Sequence, residues 1–135
     1  MSDVRIGIIG GGLMGRELAA VCGRWLHLVD HPVRPSIVAV ADLDPAAREW
    51  FRQVPTLETL TDSWRDLVDD DSLDVLYIAV PHNLHEEIYT AAAQAGRDFL
   101  AEKPFGIDLG ASERIAAAID EAGVFVRVSS EMPFF

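Results

Sequence analysis

Short, unbroken apolar runs alternate along this chain with stretches whose apolar residues fall on one side of a helix, and that alternation constrains the fold more than any single residue. The runs VRIGIIG (4–10), SIVAVAD (36–42), VLYIAV (75–80), DFLAE (98–102) and VFVRV (124–128) read as strands buried on both faces. Between the first two, Met14, Leu18, Val21, Cys22, Trp25 and Leu28 make a helical stripe, followed by VDHPVRP (29–35), whose two prolines predict a rigid surface connection. Asp44 and Pro45 supply the cap and first turn of a short helix reaching Arg52. A further helix is predicted through Leu60, Trp64, Leu67 and Val68. Another runs from Leu84 through Ile88, Ala91, Ala92 and Ala95 to Gly96, and one through Ala111, Ile115, Ala118, Ile119 and Ala122 to Gly123, each glycine standing where a left-handed C-cap belongs. Parallel strands joined by right-handed helical crossovers give the expected fold class: α/β, a Rossmann-type doubly wound, mostly parallel sheet with helices on both faces.

The chain's 135 residues fit one domain, and half are hydrophobic, which favours a folded core over disorder. With 22 acidic against 11 basic residues the net charge is −11, and the basic residues form no stripe, so nucleic acid is not expected as a partner. The acidic run Asp69, Asp70 and Asp71 reads as a solvated helix end. Cys22, the single cysteine, falls in an apolar helical pattern and is expected in the core, and the absence of a possible internal disulfide points to a reducing cytoplasm. No apolar stretch approaches the roughly 18 to 20 residues that cross a bilayer, so no membrane association is expected.

The chemistry concentrates where strands end. In GGGLMG, placed between the first strand and the first helix, Gly10 permits the tight turn, Gly12 lets the backbone approach a pyrophosphate, and Gly15 allows close packing of helix on strand. The helix N-terminus at Leu13 and Met14 offers unpaired N–H groups and the positive end of its dipole to phosphates. That local pattern alone also fits a flavin or S-adenosylmethionine. Asp42 closes the second strand, where a carboxylate accepts hydrogen bonds from both ribose hydroxyls and repels a 2′-phosphate, so NAD is expected over NADP. Leu43 follows, with no arginine there to grip that phosphate. The 27 positions between Gly15 and Asp42 exceed the usual spacing, with VDHPVRP absorbing the excess; the competing reading has Asp42 only capping the next turn. In AVPHNLHEEI, Pro81, His82, Asn83 and His85 lie off a strand's carboxyl end and can line the nicotinamide side; the competing reading has His82 and Asn83 capping a helix and His85 packed on its next turn. No third partner at ligand spacing accompanies His82 and His85, so no metal is expected. In EKPFG, Glu102 and Lys103 stand on the same edge, where an ammonium can hydrogen-bond a substrate oxygen as hydride moves, or simply face solvent.

Taken in order, GGGLMG, Asp42, AVPHNLH and EKPFG resemble the N-terminal domain of the glucose-fructose oxidoreductase/inositol dehydrogenase (Gfo/Idh/MocA) family, with the likeness spanning the whole chain and EKP its most diagnostic part. The resemblance implies an NAD(P)-dependent oxidoreductase acting by hydride transfer on a sugar, cyclitol or polyol, with Lys103 catalytic. It implies as well a second α/β domain supplying most of the substrate pocket and the homo-oligomer interface. The ending SSEMPFF therefore reads as an interruption at the crossing into that domain, with Glu131 and Met132 before Pro133 where the family often has Arg or Asn. Residues 1–135 are expected to form one dinucleotide-binding domain that binds its cofactor without turnover. A stand-alone cofactor-binding or redox-sensing module and an NAD-dependent glycosidase of the same family are the competing readings.

Overall fold

The computed structural model describes residues 2–130. Its first strand, β1 (Ser2–Ile9), stops at the glycine turn and leads into α1 (Leu13–Gly23), then β2 (Val33–Ala41), α2 (Pro45–Phe51), β3 (Thr59–Thr61), α3 (Trp64–Val68) and β4 (Val75–Ile78). Then follow α4 (His85–Gln94), β5 (Phe99–Glu102), α5 (Leu109–Ala122) and β6 (Val126–Ser129). The strands form one six-stranded sheet in the order β3-β2-β1-β4-β5-β6, every pair parallel. The chain builds outward from β1 to β3 and then returns to lay β4 against the other side of β1. Strand order thus reverses at β1, and a crevice opens off the carboxyl ends of β1 and β4.

Alternation along each strand divides the core in two. Ile6 and Ile8 of β1, Val40 of β2 and Tyr77 of β4 pack with Cys22 and Phe51 from α1 and α2. Ile9, Leu76, Ile78, Phe99 and Ala101 face the opposite way, against Leu67 of α3, Ile88 and Tyr89 of α4 and Ile115 of α5. Helices therefore cover both faces, as the apolar runs predict. Asp44 caps α2 by accepting from the Ala46 N–H, and Gly96 and Gly123 adopt φ of 74° and 68° at the ends of α4 and α5.

Three local readings are corrected. Leu60 lies in β3, not in a helix; a strand of three residues, TLT, is too short to display a period. The stretch VDHPVRP is only partly a connection, because β2 begins at Val33 and Pro35 pairs with Val4 inside it. β3 flanks only Ala39–Ala41, so Pro35 sits where one side of β2 is an open edge and a missing N–H breaks no ladder. The first helix ends at Gly23, followed by a 3₁₀ turn over Trp25–His27, so its stripe is incompletely buried: Cys22 is in the core, whereas Met14, Val21 and Leu28 are 45%, 52% and 57% exposed. Within the acidic run, Asp71 pairs with Arg97 and Asp70 accepts from the Ser72 N–H, so two of the three fasten turns.

Candidate functional site

Gly10 follows the last residue of β1 with φ of +101°, and an ideal Cβ there would stand 2.5 Å from the Ala79 carbonyl oxygen. Only glycine takes that turn without strain. At Gly15 a Cβ would collide with the Gly10 carbonyl, which is how closely α1 packs on the strand it leaves. Gly12 differs, because a Cβ there meets nothing within 4 Å. Its want of a side chain answers no packing need inside the chain and leaves open space at the start of α1. Gly12 is also the N-cap of α1, with no side-chain cap and no acidic residue in the first turn, so the N–H groups that open this helix lack an internal acceptor. Leu13 and Met14, the first residues of α1, carry exposed side chains.

Asp42 stands beside this turn and is tied to it. One carboxylate oxygen accepts from the Gly11 N–H at 2.7 Å and the other from the Asp44 N–H at 2.8 Å. The turn-capping alternative is thus realised, yet it occupies only two of about four acceptor positions on a carboxylate, and the rest remain for a ligand's hydroxyls. Arg48 of α2 donates to the carbonyls of Asp42 and Leu43, fixing the same turn from behind. Between the glycine turn, this carboxylate and Pro81 runs a cleft of about 400 Å³. Its walls include Leu43, Trp64, Val80 and Leu84, and Asp42, Asp44 and Asp62 line it as well. A larger hollow of about 520 Å³ lies by the end of α1 and the amino half of β2, and none of the sequence-predicted site residues lines it.

Pro81, His82 and Asn83 are exposed off the end of β4, the last two on a 3₁₀ turn. Neither His82 nor Asn83 caps α4, whose N-terminus has no side-chain cap. Of the two readings of His85, lining the cleft or packing on the helix's next turn, the structure shows the second. The residue is 1% exposed, with Nδ1 2.7 Å from the Pro104 carbonyl oxygen, Nε2 3.1 Å from that of Val80, and its ring stacked on Tyr89. Helical phase turns it inward, where the imidazole's one N–H donates to a backbone carbonyl, at the shorter contact that of Pro104, instead of meeting a ligand.

Glu102 is likewise buried. The Tyr77 hydroxyl donates to its carboxylate, and Tyr89 grips its backbone, accepting from the N–H at 2.9 Å and donating to the carbonyl at 3.1 Å. Burial, above all, raises both tyrosine hydroxyls well over the ordinary phenol value, so each stays a donor. Lys103, next in the chain, is exposed, is joined to Pro104 by a cis peptide and has no ion-pair partner among the described residues. It is also the only lysine in the sequence. The structure therefore brings Gly10, Gly12, Gly15, Asp42, Pro81 and Lys103 to the carboxyl edge and withdraws His85, with the Glu102 side chain, into the interior. Sequence reasoning missed Asp62, Trp64 and Arg48, the first two because they follow the unrecognised β3. It also missed Tyr77 and Tyr89, which looked like ordinary apolar positions. Residues Glu131–Phe135, including the crossing segment with Met132 and Pro133, lie outside the described residues.

Comparison with known proteins agrees with this fold. Residues 4–130 match the model of an oxidoreductase family with an NAD-binding Rossmann fold, GFO_IDH_MocA. Levoglucosan dehydrogenase of Pseudarthrobacter phenanthrenivorans is 33% identical over 105 residues, covering 77% of this chain and 27% of that protein. An NAD-binding oxidoreductase from Klebsiella pneumoniae superposes with a TM-score of 0.85 at 34% identity, over 94% of this chain and 34% of its own. A levoglucosan dehydrogenase structure in complex with NADH and L-sorbose superposes with a TM-score of 0.83 at 30% identity, over 93% and 35%. The chain thus spans about a third of the length of the relatives it matches.

Proposed function

Since the chain belongs to the Gfo/Idh/MocA oxidoreductase family as its NAD-binding Rossmann domain, we propose that it is the cofactor-holding part of a dehydrogenase that oxidises a hydroxyl group of a sugar, cyclitol or polyol. The observation that carries the reading is Gly12: a glycine demanded by no contact within the chain, at the uncapped mouth of α1, leaves room for a diphosphate. NAD, when bound, supplies the hydride acceptor. The chain's own residues bind, orient and exclude water. The N–H groups of Leu13, Met14 and Gly15 face the phosphates, and Asp42 takes the adenosine ribose hydroxyls, its charge disfavouring a 2′-phosphate. Leu43, Trp64 and Leu84 give the adenine an apolar wall.

Pro81, His82 and Asn83 border the nicotinamide side, beside Lys103. As hydride leaves carbon for NAD, the amine form of Lys103 accepts the proton of the substrate hydroxyl, and its exposed side chain, without an ion-pair partner among the described residues, suits a group that meets its partner only when substrate arrives. The name of the relative that acts on levoglucosan, and the L-sorbose in one of its structures, support the sugar or polyol class. Hydride transfer needs an acceptor and donor at contact distance, so the substrate's other contacts are assigned to polypeptide beyond this domain.

Two measurements test this reading. The chain alone, titrated with NADH, gains enhanced nicotinamide fluorescence, yet with NAD and a panel of inositols and pyranoses it accumulates no NADH; steady turnover by the isolated chain would contradict the division of labour. In the protein carrying its substrate-binding half, Lys103→Met lowers kcat about 100-fold or more, the lower range for loss of a general acid–base group, and leaves NADH affinity unchanged. An unchanged kcat would remove Lys103 from the chemistry.

A further inference from the structure

We propose that His85 and Tyr89 are positioning residues for Lys103: together they clamp the residues on either side of the lysine and leave its side chain as the free arm of the edge. The proposal rests on the reading that Lys103 meets substrate. His85 and Tyr89 lie four residues apart on α4, and therefore on one face of it. From that face the Tyr89 hydroxyl takes both backbone groups of Glu102, at 2.9 and 3.1 Å, and His85 Nδ1 stands 2.7 Å from the Pro104 carbonyl oxygen. Lys103 is the residue between them. On the far side of the sheet Tyr77 holds the Glu102 side chain, so the residue before Lys103 is fixed through backbone and side chain alike.

The clamp is stiff for a physical reason. The His85 and Tyr89 rings stack with centroids 4.6 Å apart at 27°, and Phe105 adds a third ring 5.9 Å from Tyr89. Tyr89 and His85 are both almost wholly buried, so no water competes for their hydrogen bonds. His85 Nε2 meanwhile faces the Val80 carbonyl, immediately before Pro81. One imidazole thus spaces the loop carrying Pro81, His82 and Asn83 from the loop carrying Lys103. A lysine has four rotatable side-chain bonds; what the protein can fix is the backbone from which they swing, and misplacement of a reacting group by about 1 Å costs orders of magnitude in rate.

Because Lys103 is the only lysine, selective ¹⁵N-lysine labelling yields a spectrum with a single backbone amide signal, that of residue 103. Tyr89→Phe keeps the ring and deletes the hydroxyl; His85→Leu removes both ring nitrogens. The expected result is a displaced Lys103 signal in each variant and exchange of that amide about tenfold faster, as lost local hydrogen bonds allow. His85→Gln, which retains a donor, returns the signal toward its original position, and Glu87→Gln on the exposed side of α4 leaves it in place. A lowered unfolding midpoint with the Lys103 signal unmoved in the folded variants would overturn the proposal, reducing both residues to packing. Should one variant not fold, the other decides. The catalytic reading fails on different data: turnover retained by Lys103→Met would sink it, whereas the clamp is judged on the amide signal alone.

Discussion

Gly10 and Gly12 stand two residues apart in one turn and answer to different forces. At Gly10 a side chain meets the Ala79 carbonyl under a positive φ, so Gly10→Ala is expected to lower stability by about 2 kcal/mol or more, read as a fall in the unfolding midpoint. At Gly12 a methyl meets nothing, so Gly12→Ala costs only the poorer N-cap, about 1 kcal/mol, and its main effect is to weaken NAD. Asp42→Ala should reduce NAD affinity about 10- to 100-fold by calorimetry, the loss expected for hydrogen bonds to a charged acceptor. The placement of the glycine turn, Asp42 and Lys103 at strand ends was legible in the sequence, because glycines and charges there interrupt the apolar runs. For His85 the sequence leaves two readings open, and the packed one holds: motif spacing says that an imidazole is near the edge, but only helical phase says which way it points. Tyr77 and Tyr89 carried no sequence signal, since a buried tyrosine whose hydroxyl matters looks like any apolar position.

Elements marked by a helical stripe, a cap or a solid apolar run were legible, and β3, which has none of these, was not. Both four-residue strands, β4 and β5, stood out because they are solid apolar runs bounded by turns, whereas β3 is flanked by threonines and was absorbed into the helix that follows. The end of α1 was overrun because apolar residues continue past Gly23 into a 3₁₀ turn whose Leu26 and Leu28 face solvent. Ion pairs between elements were invisible in sequence. Arg114 of α5 holds the Glu86 carboxylate of α4 in a two-pronged contact, which brings the Glu86 carboxyl below its ordinary value near 4.5. A carboxyl depressed in the folded state stabilises the fold above its unfolded value and ceases to do so as pH falls through the folded one. Acidification below about pH 4.5 should therefore loosen α4 from α5, and Glu86→Gln should flatten that part of the midpoint-against-pH curve; because the pair is exposed, the difference is small and shrinks further in salt. A curve unchanged by the substitution would show that the pair contributes nothing to pH dependence.

For the molecule as a whole, alternation of runs and stripes points to a doubly wound parallel sheet, while the strand order, with β3 at one edge, is seen only in the structure. Nor did the alternation disclose how the α1 face is finished beyond β4. Met14, Leu18 and Val21 line a groove of about 300 Å³ with Tyr77, Leu100 and Arg127, so part of the stripe counted as core faces open space among the described residues. No helix of the described residues is long and apolar enough to cross a membrane. The net charge of −11 will oppose the approach of a dinucleotide, itself an anion, and local N–H groups at α1 must overcome it; moderate salt should therefore speed association. The most direct test of the account is calorimetric titration of the chain and its Gly12→Val variant with NAD and with NADP. Binding of NAD at least about tenfold tighter than NADP, lost in a variant that remains folded with stability lowered by no more than the poorer N-cap's roughly 1 kcal/mol, is the predicted result. NADP binding as tightly as NAD, or a variant that binds like the original, would contradict it.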